Sequence, residues 1–179
     1  KQTATPVLAN ESASLWDLGD GIACLELTTK MNAVDEGVLA LIEQALARIS
    51  QDFKGMVIGN DGTLFCAGAN LNVFLAHAQR EEWSAVSDLI RTGQRTMLAL
   101  KTAPFPVVAS LAGLALGGGC EIVLHSVSAQ AHMECSPGLV EAIVGLIPAW
   151  GGCKEMLLRH DDDAVKAFDL IISGKKAGS

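Results

Sequence analysis

Tyrosine is missing from this 179-residue chain and aromatics make up only 4% of it; that scarcity alone excludes nothing. Other absences are more telling. No run of Lys or Arg occurs and the net charge is −7, which argues against a nucleic-acid surface or electrostatic docking on anionic lipid. An anionic ligand would therefore be met by local basic residues. The longest apolar stretch, Phe105 to Leu116, is broken by Pro106 and Gly113 and falls short of the ~20 residues a bilayer requires, so no membrane insertion is expected. The N-terminal stretch has no apolar segment of the signal-peptide kind. Residues 1–13 are expected to be a tag remnant or linker.

The cysteines Cys24, Cys66, Cys120, Cys135 and Cys153 are odd in number and show neither CxxC nor zinc spacing. They are expected to be reduced thiols of an intracellular, cytoplasmic protein, mostly core filler. His77, His125, His132 and His160 have no carboxylate or cysteine partners at ligand spacing, which points to structural or surface roles and no metal. GxSxG, GxxxxGK[ST], HExxH and the GxGxxG dinucleotide fingerprint are all absent, so no NAD site is expected.

What is present suits one compact domain, since about half of the residues are apolar and the length is that of a single core. Apolar alternation over Ser14–Leu18 and Ile22–Thr28, around Gly19-Asp20-Gly21, predicts a hairpin. Helical spacing predicts helices over Glu36–Ser50 and Trp83–Lys101, the second ended by Pro104. Strands are predicted at Gly55–Gly59, Pro106–Leu111 and Ala129–Glu134, a helix from about Gly117 to His125, and a turn at Ser136-Pro137-Gly138. Helices are expected at Gly151–His160 and Ala164–Ser173, separated by the acidic Asp161-Asp162-Asp163 as a solvated break or N-cap. Phe74 and Trp83 are expected to pack inward, as aromatics on helical stripes usually do. Alternating strands and helices indicate α/β architecture with crossover connections.

The chemistry concentrates in Leu114-Ala115-Leu116-Gly117-Gly118-Gly119-Cys120-Glu121, with Glu141 twenty residues on. Consecutive glycines let backbone N–H groups converge on one oxygen, and a helix starting there adds its positive end. A second loop, Cys66-Ala67-Gly68-Ala69-Asn70, offers the same opportunity, and parallel strands would bring both loops to one side of a sheet. Taken singly, each glycine group also fits tight strand-to-helix packing, and each glutamate fits an ordinary helical position. Both glutamates, however, are embedded in apolar sequence, where desolvation raises a carboxyl's pKa toward that of a proton donor at neutral pH.

Several stretches, in order, make the sequence resemble the enoyl-CoA hydratase (crotonase) family. They are Lys30-Met31-Asn32-Ala33-Val34, Leu64-Phe65-Cys66-Ala67-Gly68-Ala69-Asn70-Leu71, Pro104-Phe105-Pro106-Val107-Val108-Ala109, Gly113 through Glu121, and Glu141-Ala142-Ile143-Val144-Gly145-Leu146-Ile147-Pro148. They span residues 14–160, the expected core. The resemblance implies the crotonase (ClpP-like) fold, with repeated ββα units forming a parallel-rich sheet surrounded by helices. It implies addition of water to a trans-2-enoyl-CoA thioester, giving 3-hydroxyacyl-CoA in fatty-acid β-oxidation, with no cofactor beyond the CoA of the substrate. Ala69 and Gly118 would donate to the thioester oxygen, Glu121 would help activate water, and Glu141 would protonate the α-carbon. Lys30, Leu64, Cys66, Ala67, Gly68 and Gly117 would line the substrate and CoA site.

Asn70 stands where many relatives have Asp, and Trp150-Gly151-Gly152-Cys153-Lys154-Glu155 replaces the commoner continuation after the Ile-Pro pair. With Gly138-Leu139-Val140-Glu141, this looks most like the hydratase part of polypeptides that also carry a 3-hydroxyacyl-CoA dehydrogenase. The expectation is a homo-oligomeric hydratase covalently linked to a dehydrogenase portion, with residues 161–179 beginning a truncated helical region. The alternatives are an isomerase of the same fold and a non-catalytic acyl-CoA-binding or assembly module.

Overall fold

A computed structural model describes residues 5–161 and 163–176. The main sheet begins with β1 (Leu8–Ala9), β2 (Ala13–Gly19) and β3 (Ile22–Leu27), paired antiparallel in that order. β4 (Gly55–Ile58), β6 (Val107–Leu111) and β8 (Ser128–Ala131) follow in parallel, giving the order β1-β2-β3-β4-β6-β8. The stretch expected to be a linker thus enters the fold: the Val7 N–H donates to Leu15 O at 2.7 Å, Leu8 pairs with Leu15, and Ala13 is fully buried. Residues 1–4 of that stretch lie outside the described residues.

Helix α1 (Glu36–Asp52) covers the sheet because Val38, Leu39, Leu41, Ile42, Ala45 and Ile49 fall on one buried stripe. Its start is fixed by Asp35, whose side chain accepts from the Val38 N–H at 2.9 Å and from Ser12 Oγ at 2.9 Å. Helix α3 (Trp83–Lys101) lies beside it, and Thr96 Oγ1 donates to Glu43 Oε1 at 3.2 Å across the pair. Trp83 sits at the helix's first position and is 62% exposed, against the expectation of a core role, whereas Phe74 packs against the core.

A second sheet, absent from the sequence-based reading, positions the site. Its strands are β5 (Leu64–Cys66), β7 (Leu114–Leu116) and β9 (Ser136–Gly138), parallel and in the order β5-β7-β9. The expected turn at Ser136-Pro137-Gly138 is therefore a strand; Pro137 is tolerated at this sheet's edge, where its missing N–H costs no ladder bond. α2 (Leu71–Gln79) follows β5, α4 (Gly118–His125) follows β7, and a 3-10 turn (Glu141–Val144) follows β9. α5 (Gly152–Arg159) and α6 (Ala164–Ser173) complete the chain, with Asp163 capping α6 by accepting from the Lys166 N–H. Asp162, in the expected acidic break, lies outside the described residues.

Candidate active site

Because β5, β7 and β9 are parallel, their carboxyl ends deliver three segments to one edge: Ala67-Gly68-Ala69, Gly117-Gly118 and Leu139-Val140-Glu141. The Gly117 N–H donates to Gly138 O at 2.9 Å, tying the second segment to the third. The first two approach so closely that a Cβ at Gly68 would stand 2.9 Å from Leu116 O and 3.5 Å from Gly118 N. Gly117 caps α4 with φ +51 and ψ −121, a conformation that a side chain disfavours.

Gly118 is the first residue of α4, so its amide has no intrahelical acceptor. Ala69 bridges Val34, but the bridge's bonds run from Val34 N to Gly68 O (2.8 Å) and from Asn70 N to Val34 O (2.9 Å), leaving the Ala69 amide outside them. Neither amide donates to another of the described residues. A Cβ at Gly118 would lie 3.3 Å from Ala69 N, so the two donors are neighbours. Paired free amides at a helix start form a receptor for one developing negative oxygen.

The two glutamates reach this point from different elements. Glu121, in the first turn of α4, is 2% exposed, and its Oε1 accepts from the Trp150 N–H at 2.9 Å and the Gly152 N–H at 2.8 Å. Burial raises its carboxyl from the ordinary 4.5 to about 7; the Gly152 bond opposes that, the Glu141 charge adds to it, and the Trp150 bond opposes it. Glu141 opens the 3-10 turn. A Cβ on Gly117 would stand 3.2 Å from Glu141 Oε1, and Oε2 is buried with no hydrogen-bond partner among the described residues. Burial pushes this carboxyl up as well.

Of the other expected residues, Leu64 and Ala67 are half-buried beside the 3-10 turn Lys30–Asn32, where the Ala67 N–H donates to Met31 O and Asn32 Nδ2 donates to Leu64 O. Lys30 is exposed there, next to the loop. Cys66 is fully buried, its Sγ accepts from the Gly68 N–H at 3.3 Å, and Gly119 packs against it. The thiol, pushed up to about 11 by burial, supports the loop from beneath.

Sequence reasoning passed over the groups that hold Glu121. The Trp150 ring packs on Gly93 of α3 and Gly118 of α4, and its amide joins that of Gly152 on the carboxylate. The available signal was the glycine pair Gly151-Gly152 opening a helix, a ready-made carboxylate site.

Residues 18–160 match the family described as Enoyl-CoA hydratase/isomerase. A probable 3-hydroxyacyl-CoA dehydrogenase of Bacillus subtilis (strain 168) is 40% identical, the alignment covering 100% of this chain and 24% of that protein. A putative fatty acid oxidation complex trifunctional enzyme of Rickettsia felis is 38% identical over 92% of this chain and 23% of its own length. The chain therefore spans about a quarter of these curated relatives. Among solved structures, an enoyl-CoA hydratase from Bacillus anthracis superposes with a TM-score of 0.81 at 26% identity, covering 93% of this chain and 64% of that one. One from Polaromonas sp. JS666 gives 0.85 at 24% identity over 92% and 64%. The chain belongs to the enoyl-CoA hydratase/isomerase family.

Proposed function

We propose that the site adds water across the double bond of a trans-2-enoyl-CoA, giving 3-hydroxyacyl-CoA. One observation carries this reading: the neighbouring Ala69 and Gly118 amides, which donate to no described residue, share one sheet edge with two interacting carboxyls, Glu121 and Glu141, both raised by burial. The thioester oxygen accepts from those amides. As water's oxygen bonds to the β-carbon, Glu121 takes its proton, and the double bond's electrons move to the oxygen as an enolate. Return of those electrons to the α-carbon draws a proton from Glu141. Exchange through solvent then returns Glu121's proton to Glu141, so that overall one water is added and nothing is oxidised, and no cofactor beyond the substrate's own CoA is needed.

Lys30 and the Leu64–Ala67 edge are proposed to receive the CoA phosphates and adenine, with Gly68 and Gly117 shaping the thioester seat. The much longer relatives, with a dehydrogenase or trifunctional-enzyme name, support a parent polypeptide in which a linked dehydrogenase oxidises the 3-hydroxy product in fatty-acid β-oxidation.

Loss of the conjugated enoyl-thioester absorbance of crotonyl-CoA tests the reaction. The chain is expected to turn over, and Glu121→Gln and Glu141→Gln should each fall a hundredfold or more, the scale of general acid/base groups. Turnover that survives Glu121→Gln favours double-bond isomerisation. Binding of the thioester with no turnover, in this chain and in a longer polypeptide containing it, would sink the enzymatic reading in favour of a binding module.

A further inference from the structure

The segment Trp150–Glu155, where this chain departs from the commoner family pattern, builds a buried polar cluster beside Glu121. His125 lies one turn along α4, is 3% exposed, and places Nδ1 2.7 Å from Glu121 O. A carbonyl oxygen only accepts, so Nδ1 carries the hydrogen and Nε2 faces Glu155 Oε1 at 3.9 Å. Glu155, 2% exposed in the first turn of α5, accepts from Lys101 Nζ at 2.5 Å through Oε2, and its Oε1 lies 3.0 Å from Lys154 Nζ. Burial works against the Glu155 charge, but the Lys101 and Lys154 bonds outweigh it and hold the carboxyl below its ordinary value. Burial meanwhile lowers His125, keeping the ring neutral.

This cluster bears on Gly151, which stands between the two amides that hold Glu121. Gly151 has φ +111, and a Cβ there would meet His125 Nε2 at 2.9 Å and Cε1 at 3.0 Å, so the ring packs flush against this backbone. Gly151 O in turn accepts from the Glu155 N–H at 3.0 Å. The ring is thus a spacer of fixed thickness between α4 and the start of α5.

We propose that His125, held by its Nδ1 bond to Glu121 O and packed on Gly151, is a positioning residue: by fixing Gly151 it aims the Trp150 and Gly152 amides, and so sets the position and proton affinity of the Glu121 carboxyl. Its catalytic consequence rests on the reading of Glu121 as a reacting group; the positioning itself can be measured without turnover. The other groups facing Glu121 are Glu141 from the 3-10 turn, Cys120 on α4 and Cys153 on α5, both thiols raised by burial first and then by the two carboxylates.

The test is an NMR titration following the Trp150 and Gly152 amide resonances, with crotonyl-CoA kinetics alongside. In the parent both resonances should step near pH 7, where Glu121 is placed, and the step should vanish in Glu121→Gln. In His125→Ala the step should move up by about one unit, because weakened charge-assisted bonds no longer favour the carboxylate. His125→Ser, also too short to fill the space against Gly151, carries the same expectation should the alanine variant not fold. His125→Leu, of similar volume and so still a spacer, should recover at least half of the shift. In the kinetic arm, kcat should drop about tenfold or more with KM changed less than twofold. A step left unmoved in His125→Ala and His125→Ser, with only a lowered Tm, would overturn the proposal and leave the cluster a structural clamp. Full turnover in Glu121→Gln would instead overturn the hydratase reading while the titration result stood.

Discussion

The two carboxyl-bearing regions are built to opposite specifications. Glu121 lies on α4, where Gly117 through Ile122 are all buried, and two amides at the start of α5 grip one of its oxygens. Glu141 rides a four-residue 3-10 turn with no side-chain cap, ended by Gly145 in the left-handed region, and flanked by exposed Ile143, Val144, Leu146 and Ile147. Both carboxyls are raised chiefly by burial. Yet the donors on Glu121 come from another element, at the start of α5, whereas Glu141 takes backbone bonds only from its own turn and keeps Oε2 without a partner among the described residues. Identical side chains can thus hold different protonation states within one site, as a base and an acid must.

The strongest way to break this asymmetry is Gly152→Ala. Its Cβ would stand 2.9 Å from Glu121 Oε1 and from Leu139 Cδ2, displacing the carboxylate from both amides. Turnover of crotonyl-CoA should fall a hundred- to a thousandfold, on the scale of losing a preorganised donor.

A smaller effect separates the carboxyls by pH. Glu121, raised from 4.5 to about 7 in the folded state, favours folding below about pH 4.5, and that advantage is lost as pH rises through 7. The loss is of order 3 kcal/mol for such a shift. Urea unfolding at pH values bracketing this window should show parent stability declining with pH from this source, and a flatter profile in Glu121→Gln.

The gentlest probe falls on the other side. Gly145→Ala meets no atom within 4 Å and is opposed only by its φ of +77. It should cost about 1–2 kcal/mol by thermal unfolding, the strain of a left-handed alanine, and leave kcat far less affected than Gly152→Ala does. Equal losses in the two variants would erase the distinction between a carboxyl anchored from α5 and one held within its own turn.

Legibility in the sequence followed element length. The predicted helix over 83–101 coincides with α3, and α1 runs only to Asp52 beyond the predicted Ser50, because long elements repeat their apolar period several times. The glycine loops and both glutamates were readable because their chemistry is local. The second sheet was not: β5, β7 and β9 are three residues each, too short to display alternation, and Ser136-Pro137-Gly138 carries a turn's composition. α2 escaped because none of its residues is fully buried, which left no stripe to detect. Trp83 misled because a helix's first position can turn an aromatic outward even when the helix packs well. The cluster of His125, Glu155 and Lys101 joins three helices, and no spacing rule links residues that meet only in space.

The small parallel sheet also has a kinetic meaning. It pairs Leu64 with Leu114 and Leu114 with Ser136, so every rung requires closure of a long chain segment before it is rewarded. The hairpin of β2 and β3 and the helices α1 and α3 need no such closure. The paired Ala69 and Gly118 amides and the Glu141 turn are therefore expected to form late in folding, and a gain of the proposed thioester turnover during refolding would mark when the last long-range contacts lock.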